Sequence, residues 1–159
     1  MINNNSIIAS INNRSWWHSP PADKGAYKKR GIFFASSYKE CEFYGRPLDE
    51  TIKVNVKNPL VGVEEDIIRR FFGIKSKQMM VYRSLIDGTA TNVLNMRFQL
   101  DKELFRVAKN SGYDAIAIVT SKGYETTKTG KLPRSVELNV FDVLETALIS
   151  RKETASAKK

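Results

Sequence analysis

The chain is predicted to fold as an α+β domain, with short strands dominating and helices appended. Three stretches carry that prediction. Thr51 to Lys57 alternates, with Ile52, Val54 and Val56 on one face and Lys53, Asn55 and Lys57 on the other. Val136 to Phe141 alternates in the same way. Residues 64–72 instead carry a helical stripe of Ile67, Ile68, Phe71 and Phe72. Interspersed short strands and helices of this kind suit an α+β class.

In chain order, the asparagine-rich opening reads as a flexible N-terminal lead over residues 1–13. Arg14 to His18 reads as a short strand, stopped by Ser19-Pro20-Pro21. Gly31 to Ala35 is a second apolar run, bounded by the basic turn Lys28-Lys29-Arg30 and by serines. Ser37-Tyr-Lys-Glu40 fits a capping box, in which serine and glutamate each satisfy a free backbone N–H. The helix it opens should run to about Tyr44 and stop at Gly45-Arg46-Pro47.

Asn58-Pro59 ends the strand over 51–57. Glu64, Glu65 and Asp66 at one end of the 64–72 helix, and Arg69 and Arg70 at the other, match the helix dipole. The pattern over 75–99 fits neither period. Asp101 to Asn110 reads as a helix closed by Gly112, and Tyr113 to Val119 as a buried strand. Ser121 to Arg134 reads as a polar, basic loop before the last strand. One domain over 14–149 is expected, followed by a flexible basic tail over 150–159.

Of 159 residues, 26 are Lys or Arg and 17 Asp or Glu, a formal charge of +9. Basic residues outnumber acidic ones in each third of the chain, so the charge marks no dedicated nucleic-acid face. One cysteine and one histidine cannot build a disulfide framework or a His-rich zinc centre, so no metal is expected. A Ser-His-Asp hydrolase would rest entirely on His18. The start has no signal-peptide pattern, and no apolar run approaches the roughly 18 residues of a membrane helix. A soluble cytoplasmic protein without a membrane partner is expected.

Four pieces stand out together: Trp17-His18-Ser19, Gly31 to Ala35, Tyr44, and Val136 to Asp142. Each has a structural reading as packed core or solvated face. Glu137 is the least easily explained this way, because it shares a strand face with Asn139 and Phe141 while Val136, Leu138 and Val140 point oppositely.

The segment Gly31-Ile-Phe-Phe-Ala-Ser-Ser-Tyr-Lys-Glu-Cys-Glu-Phe-Tyr44 resembles the aromatic strand and following helix of ADP-ribosyltransferases of the diphtheria-toxin and poly(ADP-ribose)-polymerase type. Trp17-His18 is similar to the first-strand histidine of that family, and Glu137 to Asp142 to its catalytic-glutamate strand. Gly112-Tyr113-Asp114, a buried strand and then Glu137 follow the order of small phage-encoded members. The likeness covers residues 16–62 and 112–149 and is silent on 63–111. It implies a split β-sheet core with appended helices, and mono-ADP-ribosyl transfer from NAD, a co-substrate, to a macromolecular acceptor, protein or nucleic acid. For a phage-encoded member the site of action would be the host cytoplasm.

The resemblance assigns roles residue by residue. Glu137 would be catalytic through the nicotinamide-ribose hydroxyl, favouring a transition state with oxocarbenium character. His18 would bind the adenosine ribose, Ser19 would offer its backbone to the nicotinamide amide, and Phe33 and Tyr44 would sandwich the ring. Ser19 stands where the family commonly has glycine, and Phe33 where tyrosine is common. Ser135 stands where the arginine-modifying branch has Glu or Gln, which disfavours arginine as acceptor. Lys122, Tyr124, Lys128, Lys131 and Arg134, in the loop before the catalytic strand, are the candidate acceptor-binding residues. Lys75, Lys77 and Arg83 would extend a basic rim. The alternatives are NAD hydrolysis with water as acceptor, and a non-catalytic basic module on this fold that binds nucleic acid or docks on a protein complex as an inhibitor.

Overall fold

The computed structural model describes residues 4–23 and 25–141. Within them, four strands form one mixed sheet: β1 (Ile32–Ala35), β2 (Pro59–Gly62), β3 (Ala115–Ile118) and β4 (Glu137–Val140). The spatial order is β1-β4-β3-β2, with β4 antiparallel to both neighbours and β2 parallel to β3. A parallel pair needs a long crossover. Here the crossover is the helical run α4 (Glu64–Phe72), α5 (Lys77–Asp87) and α6 (Val93–Asn110). The expected α+β class is met at this level, a small mixed sheet with helices. Among the described residues, however, helices dominate and not the strands, which are four residues each.

Alternation along β4 sends Val136, Leu138 and Val140 into one core and Asn139 and Phe141 toward the other face. The first core also takes Ile32, Phe34, Trp16 and the buried Val54 and Val56. The second packs Leu60, Ile116 and Phe141 beneath Ile67 and Ile68 of α4, Met79 of α5 and Leu100, Leu104 and Phe105 of α6. Each face of the sheet thus buries its own apolar set, and the helical crossover closes the second.

The 64–72 helix forms over the predicted residues, its acidic first turn and basic last turn linked by an Arg69–Asp66 bridge at 3.2 Å. The serine half of the expected capping box forms: the Ser37 hydroxyl accepts from Glu40 N–H and opens α3 (Tyr38–Cys41), which tightens into a 3-10 turn over Glu42–Tyr44. The Glu40 carboxylate accepts from the hydroxyls of Ser37 and Ser135 and not from a backbone N–H. The ambiguous 75–99 stretch becomes α5 and the first turns of α6, capped by Ser76 and Asn92. The predicted 101–110 helix is the second half of α6.

Four expectations need correction. Residues 4–13 are not a frayed lead: they form α1 (Asn4–Asn13), with Ile7 and Ile11 wholly buried in the first core. Residues 14–18 and 51–57 form no ladder strands. The two segments meet at the isolated bridge Trp16–Ile52, and Trp17 bridges Ala35 of β1. Burial still alternates from Ile52 to Lys57, because the Asn12 side-chain amide takes the place of a strand partner, bonding both the N–H and the C=O of Val56 at 2.8 and 3.0 Å. Residues 121–134 are not all loop: α7 (Ser121–Thr127) forms behind a Thr120 cap. The turn at Asn58-Pro59 does not end a strand but begins β2. The expected tail over 150–159 and the end of the 14–149 domain lie outside the described residues. No described helix is long and apolar enough to cross a membrane.

Candidate functional site

The site grows from the end of β1 and the start of β4. Ala35 opposes Glu137 and Phe33 opposes Asn139 in register, so Phe33 and Glu137 project from the same sheet face. Ser36 fixes this register: its hydroxyl accepts from Val136 N–H at 2.9 Å and donates to the Val136 carbonyl at 3.1 Å. Arg14 grips the segment before β4, its guanidinium donating to the Pro133 carbonyl at 2.8 Å. The Trp17–Ala35 bridge lays the histidine-bearing segment along β1.

His18 is 2% exposed, yet it borders a cavity. Its Nδ1 donates to the Phe33 carbonyl at 2.7 Å, and Nε2 pairs with the Tyr27 hydroxyl at 2.9 Å. Both ring nitrogens are therefore engaged by the protein itself, and a ligand hydroxyl would have to replace Tyr27. Ser19 directs its hydroxyl to the carbonyls of Cys41 and Gly45, at 3.1 and 2.9 Å. These bonds tie the histidine segment to the turn that carries Tyr44.

The rings of Phe33 and Tyr44 stack with centroids 5.5 Å apart and planes 22° apart. A third ring sandwiched between two others needs them about 7 Å apart, two carbon contact distances. As they stand, the two rings fill each other's faces, and admitting a ligand ring between them requires Tyr44 or Phe33 to swing away. The Tyr44 hydroxyl donates to Oε1 of Glu137, so that movement also loosens the carboxylate.

Glu137 keeps intermediate exposure. Its carboxyl is pushed up to about 7, first by burial and then by the negative charge of Glu40. The hydrogen bond from Tyr44 works in the opposite direction by favouring the ionised form. Glu40 is held in place by hydroxyls of Ser135 at 2.7 Å and Ser37 at 3.0 Å. Sequence reasoning saw Glu40 as half of a capping box and missed its second task as the charge that faces Glu137. The i,i+4 spacing of Glu40 and Tyr44 was the available signal.

A cavity of about 1160 Å³ opens beside this cluster. His18, Ser19, Phe33 and Tyr44 all line it, together with Arg30 and the N-terminal half of α6. Glu137 is not in its wall and meets it through Tyr44. Of the anticipated basic rim, Lys77 lines the cavity, while Arg83 borders a separate small hollow. The five acceptor candidates lie elsewhere. Lys122 is exposed on α7, Tyr124 packs on the first core, Lys128 pairs with Glu125 at 3.0 Å, and Lys131 and Arg134 are exposed beyond the helix. None of them lines the cavity. Among the described residues, no group of three or more His, Cys, Asp or Glu is placed to hold a metal ion. No protein-family model matches the chain, and no curated protein or solved structure matches it.

Proposed function

We propose that this protein is a mono-ADP-ribosyltransferase, built on an ADP-ribosyltransferase-like split sheet, that moves ADP-ribose from NAD to a protein or nucleic-acid acceptor. The observation that carries the reading is a single connected cluster. His18 bonds the backbone of Phe33, Phe33 stacks on Tyr44, and Tyr44 bonds Glu137, although the four residues span 120 positions of the chain. Two aromatic faces in the cavity wall, with a carboxylate bonded to one of them, suit a cationic ring on a ribose. The faces hold the nicotinamide, and the carboxylate accepts from the ribose hydroxyl.

In the proposed reaction the C1′–N bond to nicotinamide breaks, the electron pair leaving with neutral nicotinamide. The acceptor atom forms the new bond to C1′ and loses its proton. Only the ionised form of Glu137 stabilises the positive charge that builds on the ribose. With its carboxyl near 7, kcat/KM should rise with pH through neutrality and level off above it. The cavity volume is ample for a dinucleotide, since ligand pockets run to roughly 300–1,000 Å³. The closed Phe33–Tyr44 stack means that ring entry is coupled to opening of the turn over 42–45.

One observation favours a second reading, NAD hydrolysis with water as acceptor: none of the five candidate acceptor residues lines the cavity. Labelled NAD supplied with cell extract separates the two. Transfer leaves label on a macromolecule, released by protease or by nuclease according to its class, and Glu137→Ala abolishes it. Free ADP-ribose alone, at the same rate with and without extract, would replace transfer by hydrolysis.

A further inference from the structure

We propose that the part of the cavity between α2 (Ala26–Arg30) and α6 is a phosphoryl-group subsite. There Arg30, stacked on Phe98, takes two oxygens of a phosphate or diphosphate, and Lys29, Lys77 and Lys102 add positive charge at the rim. The Arg30 guanidinium lies 3.7 Å from the centroid of the Phe98 ring. A stack of this kind fixes the plane of the guanidinium and leaves its N–H edges open, the geometry that reads phosphate bidentately.

The acids nearest Arg30 are engaged by other groups. Among the described residues its side chain has no ion pair or hydrogen bond; the stack on Phe98 is its one specific contact. Burial lowers its pKa, while Asp101 and Asp23 pull it up. Asp101 is already shared with Arg97 at 2.6 Å, and Asp23 accepts from Gly25 N–H at 2.9 Å. Glu103, the other acid in the cavity wall, accepts from Gln78 and Gln99. A guanidinium partly withdrawn from water without a partner is costly, and an anion in the cavity removes that cost. The backbone of Arg30 is pinned as well, its carbonyl accepting from Asn139 at 2.9 Å, so the group is aimed and does not trail in solvent.

The same chemistry has two sources: the diphosphate of a dinucleotide or the backbone of a nucleic acid. The dinucleotide source rests on the NAD reading above, whereas the subsite itself does not. Calorimetric titration of the full chain at low salt with pyrophosphate, ADP-ribose, nicotinamide and a short single-stranded oligonucleotide separates them. Pyrophosphate and ADP-ribose should bind, and Arg30→Gln should weaken both by about tenfold or more. Nicotinamide affinity should be unchanged in that variant. Lys77→Gln/Lys102→Gln, both at exposed positions, should weaken them by a smaller factor without threatening the fold. Arg30-dependent binding of the oligonucleotide with none of ADP-ribose would keep the subsite and assign it to nucleic acid. Arg30-dependent binding without NAD cleavage would keep the subsite and remove the transferase reading. NAD cleavage with pyrophosphate binding absent, or unchanged in a folded Arg30→Gln protein, would overturn the subsite and leave the transferase reading standing.

Discussion

Glu137→Gln should make the protein more stable at alkaline pH while removing its proposed activity. The unfolded carboxyl ionises near 4.5 and the folded one near 7. The folded state therefore binds more protons between those values, and stability attributable to this group falls as pH rises from about 4.5 to 7. Above pH 7 the full cost is present; below 4.5 it vanishes. The displacement corresponds to about 3 kcal/mol at most, at 1.36 kcal/mol per pH unit. Partial exposure of Glu137 and the bond from Tyr44 reduce this to about 1–3 kcal/mol. Glutamine keeps the shape and an oxygen for Tyr44 to donate to, but carries no charge for Glu40 to repel. For a chain of this size the gain at pH 8 is about 2–12 °C in Tm, at roughly 2–4 °C per kcal/mol. Thermal and urea melts of both proteins at pH 4.5 and pH 8 measure it, and the difference between the two pH values cancels every other titrating group. A destabilised variant at pH 8, or a gain of equal size at both pH values, would refute the buried, repelled carboxylate.

Other substitutions test separate parts of the molecule. Tyr44→Phe keeps the ring but removes the donor to Glu137, so the midpoint of the kcat/KM–pH profile for NAD cleavage should rise by about one pH unit with KM nearly unchanged. Gly31→Ala should cost at least about 2 kcal/mol in a urea melt, because φ is +81° and the new Cβ would lie 2.0 Å from Oδ1 of Asn139. Arg97→Met should cost about 3–5 kcal/mol at neutral pH, since Glu64 and the buried Asp101 lose their shared cation, and less in acid, where Asp101, whose carboxyl burial pushes up, is protonated. Urea melts at pH 7 and pH 4 check that sign.

Legibility followed how local the cause was. The 64–72 helix was readable to its ends because stripe and end charges lie within nine residues. The serine side of the cap at Ser37 and the facing of Glu137 depend only on spacing, and both formed as expected, whereas the Glu40 carboxylate turns to the hydroxyls of Ser37 and Ser135. The N-terminal helix was misread because Asn3, Asn4 and Asn5 outweighed a usable signal, the i,i+4 pair Ile7 and Ile11. In the 75–99 stretch, Met80, Ile86, Val93 and Leu94 are exposed, so apolar residues on the outer face erased the helical period. Gly123 hid α7, yet that glycine lets the helix approach Pro133, where a Cβ would sit 3.1 Å from the ring.

The candidate site was legible as a set of residues and not as an arrangement. Sequence could pair His18, Phe33, Tyr44 and Glu137 by resemblance, but not show that Phe33 and Tyr44 stack on each other or that Tyr27 holds His18. The cavity wall from α6 was invisible for a physical reason. Phe98 lies 68 positions from Arg30, and only the tertiary fold brings ring and guanidinium to 3.7 Å.

The central claim, that Glu137 drives cleavage of the nicotinamide–ribose bond, is tested most directly by nicotinamide release. Purified wild type and Glu137→Gln are incubated with NAD at pH 8, where the carboxylate is ionised, and free nicotinamide is quantified by chromatography. The account predicts steady release by the wild type and a loss of about a hundredfold or more in a variant that melts at or above the wild-type temperature. No release by the folded wild type, or equal rates in the two proteins, would contradict it.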